Sequence, residues 1–477
     1  MKSLDKRFRS SLLLYNLVLM VYQILIRIAA TFNPKAKKWV AGRKNLLQKV
    51  KTDFGELKRV ENGEKRKTVW LHAASLGEFE QGRPIMEGIK KQHPNCILVL
   101  TFFSPSGYEI RKNYAVADYV YYLPLDSRRN AQQFVEVLQP DLVVFVKYEF
   151  WYYYFEALKE RNIPIFIVSA IFRPKQHFFK WYGSLFRALL QYCEHIFVQN
   201  EESLQLLQNI GIGQVSIAGD TRLDRVFDNS ESAESIPVIE AFKSSNTLWV
   251  AGSTWSKDEE ILAQFLTSVE NEHRDTETRR NFEGKYRDLA GARNERRDGE
   301  TERGIEDRSG EKSVNRQSST VHRFVIAPHE IHEKHLLQIE KLLTVKSIRF
   351  SHCREGTDFE GENIQVLIVD NIGLLSSMYQ YADYVFIGGG FGAGIHNVLE
   401  AAVFGMPIFF GPNHGKFQEA VDLIDRRGAY SVEGVKDLIL KVKELERSEA
   451  LYREASRANR NYVLKNKGGS EEILKVV

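Results

Sequence analysis

Residues 68–102 read TVWLHAASLGEFEQGRPIMEGIKKQHPNCILVLTF. Two apolar runs of strand length, Val69–His72 and Ile97–Phe102, flank an amphipathic stretch, Gln81–Gln92, which is preceded by a turn of small residues. Strand, turn, helix, strand is the unit of a parallel sheet, because parallel neighbours need a crossover long enough to hold a helix. The unit repeats outward from here. Tyr119–Leu123, Leu142–Lys147, Ile165–Ser169, His195–Val198 and Val215–Ala218 are further candidate strands, with helical segments such as Asn130–Leu138 between them. Apolar strands of this kind imply a sheet covered on both faces. A second series runs through Leu248–Ala251, Phe324–Ala327, Ile364–Val369, Tyr384–Ile387 and Pro407–Phe410. The polar stretch Gly219–Ile236 separates the two series, so two α/β domains are expected.

The 477 residues suffice for two large domains, or three of about 150 residues each. With 43% apolar and 27% charged residues the chain has ample core material, which excludes wholesale disorder. Cys96, Cys193 and Cys353 include no CxxC pair and read as ordinary buried thiols of a reducing compartment. Residues 1–60 hold 14 Lys/Arg against 3 Asp/Glu, and the rest hold 52 against 59. The basic excess thus belongs to one short segment, whereas a nucleic-acid-binding surface would spread it over the folded domains.

That segment carries Leu12–Ile26, an apolar run broken only by Asn16 and Gln23. Lys2, Lys6, Arg7 and Arg9 precede it, and Arg27, Lys35, Lys37, Lys38, Arg43 and Lys44 follow. It is short of the roughly 20 residues of a spanning helix, and the basic continuation does not fit a cleaved signal. The expectation is a helix lodged in the cytoplasmic leaflet with its flanks on anionic headgroups; the alternative is a buried core helix. Residues 271–320 hold 12 acids and 12 bases and few apolar residues, so they are expected to form a disordered surface insertion.

Candidate chemistry sits at strand ends, where open α/β sheets bind ligands. After the first strand comes His72-Ala-Ala-Ser75-Leu-Gly77-Glu78. Small residues admit a substrate to the backbone, and Glu78 either projects into that crevice or merely complements the helix dipole. Ser104-Pro-Ser106-Gly107 after the second strand is either an anion nest or a capped helix start. Gly388-Gly-Gly-Phe-Gly392-Ala-Gly394-Ile-His396-Asn397-Val-Leu-Glu400 has five glycines in seven positions and is read as leading straight into a helix, with Glu400 about two turns in. Its amides suit a phosphate or carboxylate, but its spacing is not that of a dinucleotide fingerprint. Gly252-Ser253-Thr254-Trp255, Pro328-His329-Glu330 and Gly411-Pro412-Asn413-His414 are three more such turns.

In this order the motifs resemble the 3-deoxy-D-manno-octulosonic acid (Kdo) transferases, glycosyltransferases of lipopolysaccharide synthesis. HAASLGE at 72–78, the SPSG turn, Gly219-Asp-Thr-Arg222-Leu-Asp224-Arg225, GST at 252–254, APHE at 327–330, GGGFGAGIHNVLE at 388–400 and GPNHGKFQE at 411–419 carry the resemblance. It implies a GT-B architecture: two Rossmann-like domains facing across a cleft, with an N-terminal hydrophobic anchor helix. The corresponding division is an anchor over 1–45, an acceptor domain over 46–225, a donor-nucleotide domain over 226–455 and a helical segment over 456–477. The implied donor is CMP-Kdo and the implied acceptor a lipid A precursor, lipid IVA, at the cytoplasmic face of the inner membrane. No metal, cofactor or nucleic acid is called for. By the same resemblance Glu78 is the general base of an inverting displacement. Donor contacts fall to Arg222, Ser253, Thr254, His329, Gly392, Gly394, Asn397 and Glu400. Acceptor contacts fall to Ser75, Gly77, Ser104, Ser106, Gly107 and Arg173. The alternative is another GT-B enzyme taking a UDP-sugar to a lipid-linked acceptor.

Overall fold

A computed structural model describes residues 6–57, 66–272 and 321–477. The expected insertion 271–320 lies, apart from Asn271 and Glu272, outside the described residues. The chain divides into one unit of Met1–Arg225 with Asn466–Val477, and a second of Val226–Lys465.

The first unit is built on seven parallel strands: β1 (Thr68–Ala73), β2 (Ile97–Phe102), β3 (Tyr119–Tyr122), β4 (Leu142–Val146), β5 (Ile165–Ala170), β6 (His195–Val198) and β7 (Val215–Ile217). They lie in the order β3-β2-β1-β4-β5-β6-β7. Alternate side chains of β1 serve opposite faces, as the strand pleat requires. Trp70 packs against Phe134, Phe145 and Tyr154, while Val69, Leu71 and Ala73 join Phe79, Ile85 and Met86 in a separate cluster. The last residues return to this unit. The Asp224 carboxylate accepts the backbone N–H groups of Gly468 and Ser470, and Ile473 is fully buried in the cluster of Ile85 and Met86.

The second unit repeats the plan with β8 (Thr247–Thr254), β9 (His322–Pro328), β10 (Ser347–Arg349), β11 (Val366–Ile368), β12 (Tyr384–Ile387), β13 (Ile408–Phe410) and β14 (Ala429–Ser431), in the order β10-β11-β9-β8-β12-β13-β14. Trp249 at its centre touches Phe265, Phe324, Tyr384 and Phe409. Chain order reverses between β1 and β4 in the first sheet and between β8 and β12 in the second. These are the switch points beyond whose carboxyl ends ligands of doubly wound sheets bind.

The N-terminal helix spans Lys6–Ala29, well beyond the expected Leu12–Ile26. Its 22 residues Phe8–Ala29, with an 18-residue window of mean hydropathy 1.9, are long and apolar enough to cross a membrane. It is no core helix: Leu13, Leu14, Leu17, Val18, Val21 and Leu25 are exposed. Its other face docks on the first unit. Tyr15 donates to Asp126 at 2.5 Å, Tyr153 donates to Asn16 at 2.8 Å, and Tyr22 meets Trp39 and Phe103. Burial pushes the Asp126 carboxyl up to about 7, against the pull of the Tyr15 hydroxyl and the Tyr153 and Tyr154 amides.

Candidate active site

In the first unit the helix after β1 begins at Leu76, not Gln81, with Ser75 as its N-cap. Ser75 and Glu78 have the S-x-x-E spacing of a capping box and Glu78 lies in the first turn, but the Ser75 side chain makes no capping bond to the helix backbone. The Ser75 hydroxyl donates to the Glu78 carboxylate, and Glu78 is half-buried. Gly77 is exposed. The Ser104 amide donates to the Ala74 carbonyl at 2.7 Å, which sets the two turns side by side. Ser104 caps Pro105–Arg111 and pairs with the Ser106 hydroxyl at 3.0 Å. Gly107 is buried, and a Cβ there would run into the Phe102 ring, so packing alone requires glycine.

Beyond β4, across the switch point, the chain turns through Lys147 at φ 62° into Tyr148 and Glu149. Burial pushes the Tyr148 phenol up, Arg173 pulls it down and Glu78 pushes it up again, so both charges act on Tyr148. Glu149 accepts from Trp151 Nε1 at 2.8 Å and lies 3.3 Å from His72 Nε2. His72 Nδ1 meets Thr101 Oγ1 at 2.8 Å, which already accepts from Trp70 Nε1. The Thr101 hydroxyl is thus free to donate to Nδ1, leaving the His72 Nε2 hydrogen for Glu149. Arg222 opens the helix Arg222–Glu231 and grips Asp220 through Nε at 2.9 Å and Nη2 at 2.5 Å. Burial alone would raise the Asp220 carboxyl, but Arg222 holds it below the ordinary carboxylate value.

In the second unit three strand-end turns converge. Ser253 has φ 54°, a conformation non-glycine residues rarely hold outside over-determined sites. The Gly388 amide donates to the Gly252 carbonyl and the His329 amide to the Thr254 carbonyl, each at 2.9 Å. His329 stacks between Trp255 and His396, at centroid distances of 4.6 and 4.5 Å. Trp255 Nε1 donates to His396 Nε2 at 3.2 Å. Burial, with His329 beside it, lowers His396 to about 4, so the ring is neutral at pH 7 with its hydrogen on Nδ1.

The glycine stretch is a loop rather than a helix start, and the expectation is corrected here. The helix begins only at Leu399 and spans Leu399–Ala402, so Glu400 is its second residue. Helix is interrupted earlier because Gly389 and Gly394 have φ 90° and 138°, and the amides of Gly392 and Gly394 turn back to the Gly389 carbonyl. Asn397 Nδ2 donates to Glu400 at 2.9 Å while its Oδ1 accepts the Leu399 amide. Gly392 is exposed, and its carbonyl accepts from Asn413 Nδ2.

A Cβ at Gly394 would come within 2.9 Å of the Phe417 ring, on a backbone that side chains avoid. Gly394→Val is therefore expected to distort this loop and destabilise the second unit, by roughly 1–3 kcal/mol for the strain alone. Denaturant unfolding equal to that of the parent would contradict it.

Two acids at the start of the helix 256–272, which the motif reading passed over, fasten these turns. Asp258 accepts the amides of Trp255 at 2.9 Å and Gly389 at 2.8 Å. Glu259 accepts from Thr254 Oγ1 at 3.0 Å and faces His335 Nε2 at 3.0 Å. Glu149 and Tyr148 were likewise missed; their only sequence signal is a polar pair just past an apolar strand.

Two Rossmann-like units with ligand-type turns at both switch points define a GT-B-type protein. Solved structures agree on the fold alone. A UDP-GlcNAc 2-epimerase from Neisseria meningitidis superposes with TM-score 0.53 at 15% identity, covering 86% of this chain and 98% of that one. A putative UDP-N-acetylglucosamine 2-epimerase from Listeria monocytogenes gives 0.52 at 11%, covering 86% and 95%.

Within that class the family resemblance read from the motifs holds. Residues 48–225 match the family described as 3-deoxy-D-manno-octulosonic-acid transferase (kdotransferase). The curated 3-deoxy-D-manno-octulosonic acid transferase of Haemophilus influenzae is 23% identical over 415 residues, 85% of either chain. That of Aquifex aeolicus is 23% identical over 381 residues, 79% of this chain and 85% of that one. That of Chlamydia trachomatis serovar A is 25% identical over 372 residues, 76% and 74%. The chain is a relative of these glycosyltransferases over most of its length.

Proposed function

We propose that the protein transfers Kdo from CMP-Kdo to a lipid A precursor such as lipid IVA at the inner-membrane surface, in lipopolysaccharide synthesis. The observation that carries the reading is the place of Glu78. It is a half-buried carboxylate in the first turn of a helix, at the switch point of its sheet, and its charge, like that of Arg173, acts on Tyr148. A sugar hydroxyl attacks an anomeric carbon well only when a base takes its proton. Glu78 takes that proton. Arg173 attracts an anionic group of the acceptor, while the hydroxyls of Ser104 and Ser106 and the open backbone at Gly77 line the same turns. The second unit takes the donor at the glycine loop and the 252–255 turn: the amides of Gly388, Gly389, Gly392, Gly394 and Trp255 are bonded within these turns and hold their shape, other backbone amides of the loop meet the phosphate, and Glu400, held by Asn397, meets the ribose. As CMP leaves, amide donors stabilise the charge that develops on its phosphate.

The test is incubation with CMP-Kdo and a tetraacylated lipid A precursor, with UDP-sugars in parallel, followed by mass spectrometry of the lipid. A mass gain of one or more Kdo units is expected. Transfer from a UDP-sugar instead would overturn the donor.

The exposed apolar face of Lys6–Ala29 lies in the membrane while its opposite face stays on the first unit, with the basic flanks on anionic headgroups. Leu14, Leu17 and Val21 all replaced by Gln should therefore lower affinity for anionic vesicles about a hundredfold or more, since each buried apolar side chain contributes about 1.5–3 kcal/mol. Vesicle sedimentation unchanged by the triple replacement would count against this face.

A further inference from the structure

We propose that Glu259 and His335 form a positioning pair which, by holding one proton between them, locks the turns 252–255 and 328–332 in the arrangement that receives the donor. This rests on the donor reading above. Both residues are buried, at 3% and 5% exposure. His335 belongs to the helix Glu333–Leu342, and Glu259 to the helix 256–272.

The proton follows from hydrogen-bond geometry. His335 Nδ1 faces the Glu330 carbonyl oxygen at 2.8 Å. A carbonyl can only accept, so Nδ1 carries a hydrogen. His335 Nε2 faces a Glu259 carboxylate oxygen at 3.0 Å. In a neutral imidazole whose hydrogen sits on Nδ1, Nε2 is a bare lone pair, and a bare lone pair against a carboxylate oxygen is repulsive. A second proton between Nε2 and Oε2 removes that conflict. The other Glu259 oxygen is occupied by the Thr254 hydroxyl. The remaining groups at hand do not compete for the proton: His332 Nδ1 accepts the His335 amide, and its Nε2 faces the Glu330 carboxylate at 3.1 Å.

The same accounting decides a second matter. Ligand atoms of Glu330, His332 and His335 lie within 4.8 Å of one another, as in a metal site. With both nitrogens of His335 committed, only two exposed side chains remain, so the cluster is read as a hydrogen-bonded turn.

The mechanical consequence is specific. Thr254 ends β8 next to Ser253, whose left-handed backbone needs outside support. Glu330 follows His329, whose amide bonds the Thr254 carbonyl. The path Thr254–Glu259–His335–Glu330 therefore closes a ring around both turns, a second link beside that backbone bond. Neither Glu259 nor His335 touches the donor in this scheme; they act through Ser253, Thr254 and His329.

The test combines spectroscopy and kinetics on the full chain. In the wild type with nitrogen-15-labelled histidine, the His335 signals at neutral pH, assigned by their loss in His335→Ala, should show a hydrogen on Nδ1 and an exchange-protected proton at Nε2. A bare Nδ1, or no proton at Nε2, overturns the proposal whatever the variants do. His335→Ala and Glu259→Ala should each raise the KM for CMP-Kdo about tenfold, with kcat within about threefold. The double variant should be no worse than either single one, as expected for one coupled unit. Glu259→Gln should stay within about twofold of wild type, because its carboxamide oxygen still takes the Thr254 hydroxyl and its NH2 donates to Nε2 without the extra proton. Folded Ala variants with wild-type KM, or an additive double variant, overturn the positioning role. Wild-type protein that fails to bind CMP-Kdo overturns the donor reading and this role with it, whereas donor binding that is insensitive to the pair overturns this role alone.

Discussion

Glu78→Gln is expected to keep the fold and CMP-Kdo binding but to lose transfer by about 10²–10⁴-fold, the usual contribution of a general base. The replacement preserves size and shape and still accepts from the Ser75 hydroxyl, so that contact in the first turn survives. What it removes is basicity. Glu80 is the natural control. Its carboxylate is engaged by Arg111 at 2.9 Å and by Arg225, on a partly exposed surface where such pairs contribute little. Glu80→Gln should stay within about tenfold of the parent, at most about 1.4 kcal/mol in barrier. Near-normal Kdo transfer by Glu78→Gln, with the lipid product confirmed by mass, would remove Glu78 from the role.

Removing residues 467–477 should have an effect of comparable size on stability. The helix Gly469–Leu474 packs on Leu76–Gln92, the helix that carries Glu78, and Leu474 lies against Gly88. Burial of Ile473 contributes about 1.5–3 kcal/mol, and two amide bonds to the Asp224 carboxylate about 1.5–3 kcal/mol each. The loss, roughly 5 kcal/mol or more, equals much of a domain's total stability. The shortened protein should unfold at markedly lower denaturant, and hydrogen exchange should show Leu76–Gln92 opening first. Parent-like unfolding would mean that the terminal helix is ornamental.

The central strands were legible because they are apolar on both faces. Ile97–Phe102, His195–Val198 and Tyr384–Ile387 stand where their composition puts them. The strands Ser347–Arg349 and Ala429–Ser431 were not, because each is three residues long and lies at a sheet edge, where half-exposed residues leave no apolar run. The helix start at Leu76 was hidden by Gly77, which reads as a turn although Ser75 and Glu78 form the capping signature. Motif residues Ser253, His329 and Gly394 do converge on one set of turns. Tyr148 and Glu149 went unseen for a different reason. Their closeness to Glu78 and His72 arises because β4 lies beside β1, and that adjacency is a property of topology that no local periodicity encodes. Asp258 and Glu259 resemble ordinary first-turn acids until their partners on other loops are known.

The return of residues 466–477 to the first unit also bears on how the protein is made. A ribosome producing this chain completes the sheet β1–β7 and then translates the whole of Val226–Lys465 before the residues that bond Asp224 and bury Ile473 emerge. At elongation rates of about 5–20 residues per second that interval is on the order of tens of seconds. Throughout it the nascent chain presents an unfinished apolar patch around Ile85 and Met86, with the Lys6–Ala29 helix already outside the exit tunnel. That helix is thus available to any surface before the first unit is complete, and the patch around Ile85 and Met86 stays uncovered until the last residues arrive.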